Sequence, residues 1–148
     1  MTYETFTSEL FERFPKLRAV WRTRFDYLKD EPPLPYVVFG SLLIPKLEEA
    51  LETGNLGVIL PICAFLEDTA EAGSKDPRLA ELVRIEFGEW LGGAANESLR
   101  APWLGKETKL LCRYIPGLAT QRRELREERS KRTLKNRLSL FLRKLRKS

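Results

Sequence analysis

The sequence contains no histidine. This absence excludes His-based metal sites, Ser–His and Cys–His nucleophile pairs, and the commonest general base of enzymes. Only two cysteines are present, too few for a closed structural zinc site without histidine. Cys63 and Cys112 each lie among apolar residues, so we expect two buried free thiols. We therefore predict a protein that is not an enzyme, with no catalytic residues, no metal site and no cofactor.

Long apolar runs are missing as well. No stretch approaches the ~20 apolar residues that a membrane-spanning helix requires. The first residues, MTYETFTSEL, have neither the basic start nor the apolar run of a secretory signal. With 43% hydrophobic and 32% charged residues, the composition is that of a globular chain. We predict no transmembrane segment and a cytoplasmic location.

Strand-like alternation is also scarce, whereas apolar residues recur at helical spacing nearly throughout the chain. We predict an all-α fold: a HEAT-like bundle of about six helices with a long basic C-terminal helix. Residues 1–117 would form the bundle domain, and residues 118–148 a basic amphipathic C-terminal helix. The order helix, short turn, Asp-Pro, helix in residues 54–91 is similar to a HEAT repeat unit, although a strict repeat period is absent.

Capping residues predict the bounds of the three central helices. The first is expected over residues 36–53, with Gly54 as its C-terminal cap. The second should cover about residues 55–72 and end at Gly73. The third should begin after Asp76, with Pro77 in the first helical position. The stretch between residues 92 and 103 is predicted to be a loop. The residues of the second central helix predicted to face the core are Leu56, Ile59, Leu60, Cys63 and Leu66.

The charge is divided unevenly along the chain. Residues 1–120 contain 14 Lys and Arg against 18 Asp and Glu, a net charge of −4. Residues 121–148 contain 12 Lys and Arg against 3 Asp and Glu, a net charge of +9. An acidic body thus precedes a strongly basic C-terminal segment, and each of the two segments suggests a different kind of partner.

Six carboxylates near the ends of two successive helices are the candidate residues for binding a basic partner. A solvated polar face is the commoner explanation of such a pattern. The alternative is an acidic recognition surface, which would steer a basic protein toward the body. If the helices are antiparallel or stacked, the six residues could form one negative patch with Asp76 and Glu81. The six are Glu48, Glu49, Glu52, Glu67, Asp68 and Glu71.

The C-terminal segment combines a basic face with an apolar stripe. An apolar stripe usually indicates packing, here on the body or in a homodimer. The stripe consists of Leu134, Leu138, Phe141, Leu142 and Leu145. The second possibility is binding to the phosphates of a nucleic acid, and the third is attachment to an anionic membrane surface. The basic residues for either are Arg122, Arg123, Arg132, Lys135, Arg137, Arg143, Lys144, Arg146 and Lys147.

Three stretches give the chain a resemblance to known proteins: FPKLRAVWRTRFDYL, PYVVFGSLLIPKLEEALETGN and FLEDTAEAGSKDPRLAELVRIEFGEWL. They resemble small bacterial all-helical, HEAT-like proteins, which in turn resemble immunity proteins that neutralise a cognate secreted toxin. The resemblance covers roughly residues 8–115 and implies a helical binding protein without catalytic residues. The basic segment beyond Thr120 has no counterpart in it. We expect a non-catalytic protein-binding module of the immunity-protein type, which neutralises a cognate bacterial toxin, with a nucleic-acid-binding accessory protein as the alternative.

Overall fold

The computed structural model describes residues 1–28, 31–92 and 97–145, and their side chains except those of Ala119 and residues 136–145. Within these residues the protein contains eight helices and no strand, so the all-α prediction is confirmed. In chain order the helices are α1 Phe6–Arg13, α2 Pro15–Arg24, α3 35–53, α4 Leu56–Gly73, α5 77–91, α6 Glu97–Arg100, α7 Lys106–Leu111 and α8 Leu118–Leu145. Helices α3 and α5 each contain one π-helical turn, Phe39–Leu43 and Val83–Phe87 respectively.

Four phenylalanines from four different helices form the centre of the core. Phe6, Phe39, Phe65 and Phe87 are each at most 1% exposed. The rings of Phe6 and Phe39 stack with their centroids 5.8 Å apart, and Phe6 also lies 5.6 Å from Phe65. Phe87 meets Phe39 edge-on at 6.5 Å. These contacts join α1, α3, α4 and α5, and buried aromatic pairs of this kind stabilise a core beyond the area they bury.

Helix α4 is the central element of the bundle, since it packs against α3, α5 and α7. The predicted helix ends on either side of it are confirmed. Gly54 adopts the left-handed conformation with φ of 65° and closes α3. The Asp76 side chain accepts hydrogen bonds from the backbone N–H groups of Arg78 and Leu79 and caps α5. Gly73 is the last residue of α4 and packs closely against α5, since a Cβ there would lie 3.0 Å from Ala80 Cα.

Two residues of α4 do not face the core as predicted. Leu56 and Leu60 are 50% and 55% exposed, whereas Ile59 and Ile62 are 1% exposed. The first half of α4 is apolar on all sides, so periodicity could not distinguish its covered side from its open side. The neighbouring helices cover the side that contains Ile59, and the prediction for Leu56 and Leu60 was wrong.

One short helix also differs from expectation. Helix α6 lies within the stretch predicted to be a loop. It is four residues long, and its Glu97 and Arg100 are buried through contacts with distant residues, which sequence periodicity does not reveal.

Both cysteines are free, with Cys63 buried and Cys112 half-buried. No helix among the described residues is long and apolar enough to cross a membrane.

Candidate partner-binding surfaces

Glu67 holds helix α7 in place. Its Oε1 accepts a hydrogen bond from the backbone N–H of Glu107 at 2.7 Å, and its Oε2 accepts from the backbone N–H of Thr108 at 3.0 Å and from the Thr108 hydroxyl at 2.7 Å. Burial raises the pKa of Glu67, but these hydrogen bonds outweigh it and leave the pKa below its ordinary value. A carboxylate bound in this way has an internal structural role, and its oxygens are not free to bind a partner.

Glu48 is likewise used inside the protein. Its Oε1 accepts from Trp90 Nε1 at 2.7 Å and from Arg100 Nη2 at 3.0 Å. Arg100 is 9% exposed, and its guanidinium carbon lies 4.2 Å above the centre of the Trp90 ring. Arg100 also donates to the backbone carbonyl of Trp90. This cluster connects α3, α5 and α6.

The other four predicted residues, Glu49, Glu52, Asp68 and Glu71, are exposed. Glu49 pairs with Lys46 at 2.7 Å on the same helix, and Asp68 pairs with Arg13 of α1 at 2.5 Å. Exposed pairs of this type contribute about 0–1 kcal/mol and are readily exchanged for other partners. These four side chains therefore remain accessible.

The structure does not bring the six carboxylates together in one patch. Only two residues, Gly54 and Asn55, connect α3 to α4, so the end of α3 that contains Glu52 lies beside the start of α4. Asp68 lies twelve residues further along α4 than Leu56, or about 18 Å along the axis. The six residues consequently form two groups, one near each end of α4. Asp76 is engaged in capping α5 and accepts from the backbone N–H of Tyr3 at 2.7 Å.

An exposed apolar ridge lies between the two acidic groups. Leu56, Leu60 and Ala64 follow one another at intervals of four residues and are all exposed. The next residue in this spacing is Asp68, so the ridge passes directly into the second acidic group. We call these three apolar residues with Glu52, Asp68 and Glu71 the α4 face. The sequence contains one indication of this exposed apolar ridge, because the stretch LGVILPICAFL is too apolar for a helix with a solvated side.

Helix α8 presents a second surface. All fifteen residues from 121 to 135 are exposed, including Leu125 and Leu134 at 50% and 58%. Seven of the fifteen are Lys or Arg and three are Glu. Of the predicted basic residues, Arg122, Arg123, Arg132 and Lys135 lie in this exposed part. Arg137, Arg143 and Lys144 lie on α8 beyond the described side chains, and Arg146 and Lys147 fall outside the described residues. The same limit applies to Leu138, Phe141, Leu142 and Leu145, so the homodimer through this stripe stays a prediction.

The model of the family described as a domain of unknown function, DUF7674, matches residues 7–117. The chain belongs to the DUF7674 family. The matched region begins one residue inside α1, contains α2 to α7 and ends one residue before α8. The α4 face therefore lies within the DUF7674 domain, and α8 follows it. Neither a curated protein nor a solved structure matches the chain.

Proposed function

We propose that this protein is a non-catalytic binding module whose α4 face docks a basic protein surface. The observation that supports the proposal is the row of exposed Leu56, Leu60 and Ala64 with acidic residues at both ends. Apolar surface on a helix that otherwise lies in the core of the domain is typical of an interaction site. The proposed partner has an apolar centre and basic residues on either side of it.

The acidic ends give the proposed interface its selectivity. Glu52 at one end and Asp68 with Glu71 at the other would attract a basic partner and set its orientation along α4. Attraction between unlike charges also speeds diffusional encounter at low salt. The apolar ridge would then supply the affinity by excluding water.

The resemblance to immunity proteins supports a specific form of this proposal. In that form the partner is the basic domain of a bacterial toxin, and the protein neutralises it in the cytoplasm. The packing of α4 against both of its neighbours in the chain, α3 and α5, supports a HEAT-like arrangement, in which successive helices stack and leave one surface for partners.

The test uses full-length protein with paired substitutions. The partner is captured from native lysate treated with nuclease, then purified, and its binding to each variant is measured by biolayer interferometry. We expect Leu56→Asp with Leu60→Asp to abolish binding, and Leu110→Asp, at a residue 62% exposed on α7, to leave it unchanged. Glu52→Lys with Glu71→Lys should slow association, most strongly at low salt. A partner that binds all variants equally well contradicts the proposal.

A second candidate function is supported by helix α8. Its exposed residues 121–135 have a net charge of +4, and such a helix can neutralise nucleic-acid phosphates. The binding would be independent of sequence. It is measured by fluorescence anisotropy with labelled duplex DNA and with single-stranded RNA.

We expect the affinity of this second function to fall steeply with salt and to vanish when residues 121–148 are deleted. Arg129→Gln with Arg132→Gln should reduce the slope of log affinity against log salt by about two. Equal binding by the truncated protein excludes this function. Tail-dependent binding to anionic vesicles but not to nucleic acid would assign α8 to a membrane surface instead.

A further inference from the structure

A cleft of about 340 Å³ lies where helix α8 leaves the DUF7674 domain. One wall is the end of α5 and the segment after α7, and the other wall is the first two turns of α8. Its apolar lining includes Leu91, Ile115 and Leu118. The volume is within the range of small-molecule sites. Neither the α4 face nor the far part of α8 contributes to it.

Four arginines line this cleft: Arg113, Arg122, Arg123 and Arg126. Arg123 pairs with Glu127 at 3.8 Å. Arg113, Arg122 and Arg126 form no ion pair with a carboxylate in the part of the chain that the structure describes. Like charges gathered around one cleft repel one another, and a bound anion would remove the repulsion. Guanidinium groups match phosphate oxygens in geometry and charge.

The backbone at Arg113 is unusual for a non-glycine residue. Its φ is 51°, in the left-handed region, at the point where α7 ends. Tyr114 N–H donates to the carbonyl of Lys109 at 2.9 Å, which is the hydrogen bond that closes a helix at a left-handed residue. Glycine is the usual residue there because it adopts this conformation without cost. The chain has an arginine at that position, and this residue lines the cleft.

The only carboxylate in the lining is Glu97, which is 8% exposed. Its Oε1 accepts from the Tyr114 hydroxyl at 2.8 Å and from the backbone N–H of Gly117 at 2.7 Å. Its Oε2 is buried and has no hydrogen-bond partner among the described residues. A buried acceptor of this kind normally has a donor. This oxygen is enclosed in the wall and is not open to the cleft, so Glu97 acts as a structural residue that holds Tyr114 and Gly117 in place.

We propose that the cleft binds a small phosphate ester, such as a nucleotide or a sugar phosphate. Arg122 and Arg126, one helical turn apart on α8, would hold the phosphate together with Arg113. The apolar lining would contact the rest of the ligand. The site is independent of the α4 face, so either proposal can fail without the other.

Binding is measured by isothermal titration calorimetry with full-length protein and three probes: inorganic pyrophosphate, ribose 5-phosphate and ADP. We expect saturable one-to-one binding of ADP or ribose 5-phosphate. Arg122→Gln with Arg126→Gln should weaken it at least about tenfold, since two charge-assisted contacts are lost. The matched control is Arg129→Gln with Arg132→Gln, which removes the same charge from the same helix outside the cleft and should change affinity less than about twofold.

Two further variants separate ligand binding from folding. A Cβ at Gly88 would meet no heavy atom within 4 Å, and Gly88 lines the cleft. Gly88→Leu should therefore fill the cleft and abolish binding while the thermal midpoint is kept, and Gly88→Ala should retain binding. Arg113→Gly should raise the thermal midpoint and weaken ADP binding, because it relieves the left-handed backbone and removes a phosphate contact.

Two results would overturn the proposal. One is the absence of saturable binding of all three probes at about 5 mM, a concentration that reveals even weak sites. The other is equal loss of binding in the cleft pair and in the control pair, which would make the cleft part of a general anionic surface. A phosphorylated oligonucleotide serves as a competitor in the same titration. If both variant pairs weaken its binding equally, these arginines belong to a nucleic-acid-binding surface.

Discussion

Glu67 and Thr108 are 41 residues apart in the chain, and both the backbone N–H and the hydroxyl of Thr108 donate to Glu67 Oε2, at 3.0 and 2.7 Å. Thr108 is fully buried. The contact attaches the short helix α7 to the central helix α4. A six-residue helix is too short to be stable alone, so α7 depends on such tertiary contacts.

Glu67→Ala should lower the free energy of unfolding by about 1–3 kcal/mol, because it leaves the donors of Glu107 and Thr108 without an acceptor. Glu71→Ala, one turn further along α4 and exposed, should change it by less than about 0.5 kcal/mol. Urea denaturation at pH 7 measures both. Equal stability of the two variants would contradict the role of Glu67 at the start of α7.

The stabilisation by Glu67 should depend on pH. The pKa of Glu67 is lowered in the folded protein, so its contribution is fully present above the carboxyl pKa of the unfolded chain, about 4.3. It is lost as the pH falls through the lower folded pKa. The stability difference between wild type and Glu67→Ala should therefore be larger at pH 7 than at pH 3. An equal stability difference at pH 7 and pH 3 would show that the charge of Glu67 does not contribute to stability.

Gly105→Ala should destabilise the protein, since a Cβ there would overlap Glu67 Cδ and displace the carboxylate from α7. The expected loss is about 1–3 kcal/mol, the cost of leaving those donors unsatisfied. Gly88→Ala is the control, because Gly88 has helical dihedral angles and open space around its Cβ position. It should be neutral or stabilise the protein by up to about 1 kcal/mol. Thermal unfolding distinguishes the two.

Glu48→Ala should cost about 1–3 kcal/mol, because Trp90 Nε1 and the buried Arg100 guanidinium both lose their acceptor. Glu49→Ala removes the neighbouring, exposed carboxylate and should change stability by less than about 0.5 kcal/mol. Tryptophan fluorescence should shift only in the Glu48 variant. An unchanged spectrum and stability would show that the Glu48 cluster is not formed in solution.

Alanine substitutions along α4 should separate its two sides. Ile59→Ala should cost about 2–5 kcal/mol, as expected for a buried isoleucine, whereas Leu60→Ala should cost less than about 1 kcal/mol. Chemical denaturation of the two variants gives this comparison. A large loss of stability in Leu60→Ala would show that the Leu60 side chain is covered in solution, which contradicts an exposed α4 face.

Both thiols should react slowly in the folded protein. Burial raises the pKa of Cys63 and of Cys112 to about 11, so little thiolate exists at pH 8. Alkylation by iodoacetamide, followed by mass spectrometry, should label both residues rapidly in urea and slowly without it. Rapid labelling of Cys63 in the native protein would contradict its burial.

Local patterns in the amino-acid sequence predicted the central helices and their ends. Apolar residues at a spacing of three and four predicted α3 and α5. Their apolar stripes, from Phe39 to Leu51 and from Leu79 to Leu91, are buried except for Trp90, which is half-buried. The caps at Gly54 and Asp76 were also predictable, because capping depends on residues within one turn of the helix end. Helix α6 was missed because distant residues bury it.

The roles of the carboxylates could not be predicted from the sequence. Glu67 and Asp68 are neighbours in the same acidic run, yet one is bound to Thr108 and the other is exposed. Which of them is used depends on where α7 lies, and α7 follows some forty residues later. The gathering of Arg113 with Arg122 and Arg126 around one cleft similarly depends on the turns that connect α7 to α8.

The sequence by itself therefore determined that this protein is all-helical, where its central helices begin and end, and that an acidic body precedes a basic ending. These properties depend on residues within a few positions of one another. Only the tertiary structure decided which side of α4 is covered, which carboxylates are engaged and which arginines share a cleft. Burial and hydrogen bonding depend on the distance between residues far apart in the chain, and that distance is fixed only when the helices pack.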